Sequence, residues 1–145
     1  ALKRARITIP EDHFAYDLSA SEVMVHTRHF QWSPTPGEAM VLSVLPYRVR
    51  EISLSLPELV GAGDRLPIEI SLDTDDVLPG QHLIALQIEG PDGEDIPYYR
   101  QSLVTTEGHA ETYIPLAQNE GKGRYTLRVT DLLTGIHQQS YLVIE

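Results

Sequence analysis

Residues Gly121 to Gly135 constrain this chain more than any other stretch. Tyr125, Leu127 and Val129 alternate with Arg124, Thr126, Arg128 and Thr130, the period-2 pattern of a strand with one face buried and one face wet. Gly121 and Gly123 allow a tight approach to it, and Asp131 to Gly135 reads as the turn into a last strand, Gln138 to Ile144. A chain that closes on two such strands cannot bury them alone. It needs further strands, and the sequence supplies them.

From Tyr47 onward the alternation is regular. Val49 to Leu56 is a mostly alternating strand closed by Pro57, and Val60 to Asp64 reads as a turn. Leu66, Ile68, Ile70 and Leu72 share one face of the next strand. The run His82 to Ile88 holds consecutive apolar residues at Leu83, Ile84, Ala85 and Leu86, which predicts a strand covered on both faces. Gly90-Pro91-Asp92-Gly93 predicts a hairpin, with Asp92-Gly93 in a type I′ turn. Tyr98 to Val104, Ala110 to Leu116 and Arg124 to Thr130 follow, then the last strand. Seven strands over residues 47–145, spaced by short turn-rich stretches, are the layout of an immunoglobulin-like antiparallel β-sandwich. Such sandwiches place a "tyrosine corner" just before the penultimate strand, and Tyr125 holds that position. Its ring is expected inside, with its hydroxyl on a backbone group of the Asn119–Lys122 turn.

Residues 1–46 are choppier. Short alternating pieces at Ala5 to Ile9, Phe14 to Leu18 and Glu22 to His26, the pair Phe30 and Trp32, and a strand from Glu38 to Leu45 are broken by prolines and glycines. This section reads as a group of short β-strands, the end of a preceding β-domain or an added sheet. No stretch of 12 residues keeps a helical period with caps, so the fold class is all-β.

Composition narrows the function classes. The net charge of −10 over 145 residues, with basic residues scattered, argues against nucleic-acid binding and against anionic membrane surfaces. No apolar run reaches the roughly 20 residues of a membrane span. With no cysteine there is neither a disulfide framework nor a thiolate metal site. The start at Ala1, without Met, is read as that of a processed or excised piece.

Candidate chemistry is sparse. His26 and His29 are three apart, so one strand would point them to opposite faces, and the six histidines are expected at surfaces or turns. No Gly-x-Ser-x-Gly elbow or phosphate loop is present. Asp73, Asp75 and Asp76 are the metal candidates, since three carboxylates in a loop offer hard oxygen ligands to calcium. They lack the glycine and glutamate positions of an EF-hand, and a solvated acidic loop is the plainer reading. Trp32, Tyr98 and Tyr99 are the candidates for stacking on a sugar ring; packing in the core or at an interface is the plainer reading of these.

Three landmarks carry a resemblance: Tyr16-Asp17-Leu18; Pro36-Gly37-Glu38-Ala39 leading to Leu45-Pro46-Tyr47-Arg48-Val49; and Leu116-Ala117-Gln118-Asn119 leading to Val129-Thr130-Asp131-Leu132-Leu133-Thr134-Gly135. With Pro79-Gly80-Gln81-His82 and Tyr98-Tyr99-Arg100 between them, the chain resembles, over about residues 14–145, the C-terminal β-sandwich region of bacterial β-galactosidase-like proteins. Gly121 and Tyr125 stand where members of that group tend to carry proline and tryptophan. A looser resemblance is to macroglobulin-type domains. The first resemblance implies a non-catalytic accessory domain that packs on a catalytic domain of the same polypeptide or joins subunits, in an exported or cell-surface protein. The alternative is a carbohydrate-binding or calcium-dependent adhesion module. No catalytic residue and no cofactor beyond that calcium is expected.

Overall fold

The computed structural model describes residues 4–75 and 77–145. It is all-β: thirteen strands and one short 3-10 turn among the described residues. The first section carries β1 (Ala5–Thr8), β2 (Phe14–Asp17), β3 (Met24–His26), β4 (His29–Trp32) and β5 (Leu42–Leu45). Strands β1 and β4 pair with each other, and β2 lies between β3 and β5. The strand expected from Glu38 starts only at Leu42, because Gly37 (φ 89°) and the bond from the Glu38 amide to the Thr35 carbonyl hold a turn there.

The sandwich follows: β6 (Val49–Ser55), β7 (Leu59–Val60), β8 (Arg65–Thr74), β9 (Leu83–Glu89), β10 (Gln101–Val104), β11 (His109–Pro115), β12 (Gly123–Asp131) and β13 (His137–Ile144). One sheet has the order β11-β8-β6 and the other β10-β9-β12-β13-β7. Every pairing is antiparallel except β13 with β7. A three-stranded sheet of β6, β8 and β11, facing a sheet in which β12 lies between β9 and β13, is immunoglobulin-like connectivity.

The core follows from parity. On β8 the residues Leu66, Ile68, Ile70 and Leu72 point inward and Arg65, Pro67, Glu69, Ser71 and Asp73 outward. They meet Ile84, Leu86 and Ile88 of β9, Leu127 and Val129 of β12, and Leu142 and Ile144 of β13. Each fully buried aliphatic side chain contributes about 1.5–3 kcal/mol. Tyr16 of β2 joins this core: it is completely buried, accepts the Val49 amide at 2.7 Å and lies 3.2 Å from the Val49 carbonyl. That bond ties the first section to the edge strand β6, and burial raises the Tyr16 phenol above its ordinary range.

Four sequence expectations are corrected. Val60, expected to open the Val60–Asp64 turn, instead belongs to a strand with Leu59, beside which the Val143 amide bonds to the Glu58 carbonyl. Strand β9 is interior to its sheet, yet its outer face is open and Leu83 is exposed. Residues 97–99 form a 3-10 turn, and the strand begins at Gln101. Pro97 has a fixed φ and no amide hydrogen, which suits the first position of a turn and not a ladder. At the Gly90–Gly93 hairpin only Gly93 has a positive φ (79°). Pro91 favours the second position of a turn, and the bond from the Gly93 amide to the Gly90 carbonyl puts it there and closes the turn one residue earlier than expected. Two consecutive positive φ angles occur instead at Glu107 and Gly108, between the mutually bonded Thr106 and His109.

Candidate functional site

Three places bear on the candidate chemistry. The first corrects the expectation that all six histidines lie at surfaces or turns. His82, just before β9, is 1% exposed. Its Nδ1 is 2.9 Å from Asp131 Oδ2, at the end of β12, and its Nε2 is 2.9 Å from the hydroxyl of Tyr47, just before β6. Asp131 also accepts the Thr134 hydroxyl at 2.7 Å and the Leu133 amide at 3.2 Å. The Tyr47 oxygen accepts the Gly80 amide at 2.9 Å, and the His82 amide donates to Thr105 Oγ1 at 3.0 Å. The pattern closes when Nδ1 carries the ring proton and Tyr47 donates to Nε2.

An acid, an imidazole and a hydroxyl in line are the parts of a proton relay. Here the hydroxyl has no free direction left and all three side chains are buried. The arrangement ties together the loops at one end of the sandwich. Sequence reading missed it because the partners are 35 and 49 residues apart.

The second place is at the other end of β12. Tyr125 is 2% exposed, and its hydroxyl lies 2.7 Å from the Gly121 carbonyl and 3.0 Å from Glu120 Oε1. Its one proton serves a single acceptor at a time. Tyr99 is buried too; its hydroxyl donates to Glu120 Oε2 at 2.5 Å and accepts the Ala117 amide at 2.8 Å. Burial first, and the Glu120 carboxylate second, push both phenols up to about 12. Tyr98 beside them is 71% exposed and meets Tyr99 edge to face at 4.5 Å. A cleft of about 360 Å³ runs between Tyr98, Glu120 and the Gly90–Ile96 hairpin.

Trp32 sits apart, half-buried on β4 opposite Ala5. No ring contact joins it to either tyrosine among the described residues. The three aromatics therefore do not share a platform, and Tyr98 alone offers an open ring.

The third place is the expected calcium loop. Asp73 is exposed on the outer face of β8, and Asp75 pairs with Arg50. Asp76 lies outside the described residues. Among the described residues no group of three or more His, Asp or Glu side chains is placed to hold a metal ion. A depression of about 620 Å³ lies in the first section between the β1–β2 and β3–β4 turns, where Asp12 and Arg28 both have positive φ.

No family model matches the chain, and no curated protein matches it. Among solved structures it is similar to a superoxide reductase (neelaredoxin) from Ignicoccus hospitalis. The two are 14% identical with a TM-score of 0.46, over 67% of this chain and 82% of that one. A likeness at that level carries no argument about activity.

Proposed function

We propose that this chain is a non-catalytic β-sandwich domain that works by packing, either against a catalytic domain of the same polypeptide or between copies. One observation carries the reading. The groups best suited to proton transfer, Tyr47, His82 and Asp131, are spent on the chain's own loops, while the outward residues of both sheets stay largely exposed. That the larger protein is carbohydrate-active and β-galactosidase-like rests on the sequence resemblance alone. Assay of the chain on a panel of nitrophenyl glycosides tests the proposal, and no turnover is expected. Reproducible turnover abolished by Glu120→Gln or Asp95→Asn would overturn it.

A second reading, carbohydrate binding, is favoured by the exposed ring of Tyr98 over a cleft rimmed by Asp92, Glu94, Asp95 and Glu120. Calorimetry against a polysaccharide panel, with and without calcium, separates the two. Heat of binding lost in Tyr98→Ala supports this reading, and flat titrations remove it.

A further inference from the structure

The two outer faces of the sandwich carry opposite charge. On the three-stranded sheet Glu69 of β8 lies directly opposite Glu111 of β11, and Asp73 of β8 directly opposite Glu51 of β6. All four side chains are exposed. Like charges placed directly across a ladder repel, and at the β6 edge Arg50 pairs with Asp75. His109 bonds to Glu111 at 3.0 Å, and Arg65 lies over the Tyr113 ring at the far end of the face.

On the five-stranded sheet the outward positions of β12 are Arg124, Thr126, Arg128 and Thr130. Neither arginine has a carboxylate partner among the described residues. Arg128 donates to Gln139 at 3.3 Å, and Arg124 lies 3.9 Å over the ring of Tyr141. Glu89, half-buried on β9 opposite Thr126, is the carboxylate on this part of the face.

The spacing matches as well as the sign. Arg124 and Arg128 are four residues apart on one face of a strand, and so are Glu69 and Asp73. Each pair therefore spans about 13 Å.

We propose that the arginine face of one copy docks on the acidic face of a second. Arg128 and Arg124 then each meet one opposed carboxylate pair, Glu69–Glu111 or Glu51–Asp73. A guanidinium between two carboxylates turns an unfavourable pair into a charge-assisted contact. The contact is head-to-tail, so a pair of copies keeps one free arginine face and one free acidic face, and the association can continue. This rests on the packing function proposed above, and commits it to self-association through these two faces.

Sedimentation velocity over a concentration series tests it, in chelator and at about 20 mM salt, then at about 0.5 M salt where charges are screened within a few Å. The expected result is a mass rising above 16.2 kDa with concentration and falling back at high salt. The doubly reversed variants Arg124→Glu/Arg128→Glu and Glu69→Lys/Glu111→Lys should each associate at least about tenfold more weakly. Mixed together they should associate again, because one keeps the native acidic face and the other the native arginine face. Circular dichroism of each variant checks that its fold is intact. A monomer at every concentration in low salt overturns the proposal, as does association that both reversals leave unchanged or that requires added calcium. A monomer without glycosidase turnover would leave the non-catalytic reading standing, and turnover would remove that reading whatever the mass.

Discussion

His82 Nδ1 sits 2.9 Å from Asp131 Oδ2, with both side chains shut off from solvent, so two loops 49 residues apart in sequence are joined by one buried polar contact. Such a contact is worth most when its loss leaves a partner stranded. Asp131→Ala strands the His82 ring nitrogen, the Thr134 hydroxyl and the Leu133 amide, and should cost roughly 3–5 kcal/mol. Asp131→Asn keeps the shape and one acceptor, and should cost about 1–3 kcal/mol. Chemical denaturation measures both. An unchanged midpoint in Asp131→Ala would show that the contact does not hold the loops.

Tyr125 is the corresponding anchor at the opposite end of β12. Tyr125→Phe leaves the Gly121 carbonyl without its hydroxyl partner. The expected cost is about 0.5–1.5 kcal/mol, rising to about 3 kcal/mol if that carbonyl stays dry. Tyr125→Ala empties a large aromatic site and should cost roughly 3–5 kcal/mol. A Tyr125→Ala variant that unfolds at the wild-type denaturant concentration would contradict this placement in the core.

Tyr98 and Tyr99 are neighbours with opposite environments. Tyr99→Ala should cost roughly 3–5 kcal/mol, because a buried ring is removed and Glu120 and the Ala117 amide each lose a partner. Tyr98→Ala loses only an edge-to-face contact made by an exposed ring, and should cost no more than about 1 kcal/mol. Equal losses in the two variants would mean that Tyr98 is covered in solution.

The Glu120 clasp makes an alkaline prediction. Tyr99 and Tyr125 ionise at about 12 when folded, against about 10 for an unfolded tyrosine. The folded chain holds these protons more tightly. Below pH about 10 both states are protonated, and the two phenols give no pH dependence. Between about 10 and about 12 the unfolded state loses protons first, so stability falls as pH rises. Tyrosinate absorbance should show these two among the last of the seven tyrosines to ionise. Denaturation at about pH 9 and about pH 11 should show a smaller loss in the Tyr99→Phe/Tyr125→Phe double variant than in wild type. Equal losses would remove the clasp as its source.

Much of the fold was legible in the sequence, because period-2 alternation is a local signal. The parity of Leu66 to Leu72 and of Tyr125 to Val129 names the inward face of β8 and β12 before any partner strand is known, and the structure buries those residues. Local steric rules reach less far. Pro97 favours a turn at Tyr98 and Tyr99, and Pro91 a turn closed at Gly93, where alternation and the Asp-Gly pair alone read as strand and type I′ hairpin.

By itself, then, the sequence determined the strand class and the inward face of β8 and β12, since alternation is set by neighbours two positions away, while the consecutive apolar residues of β9 left its inward face open. Tertiary structure alone decided which outward residues meet. It placed Glu69 against Glu111 across a ladder, and it made the short Leu59–Val60 segment a strand by laying β13 beside it. It also drew His82 out of solvent to Asp131 and Tyr47. The physical reason is one of range. A side chain's direction along a strand is set within a few bonds, whereas the partner it meets depends on the order and register of the sheet, which the whole chain settles together.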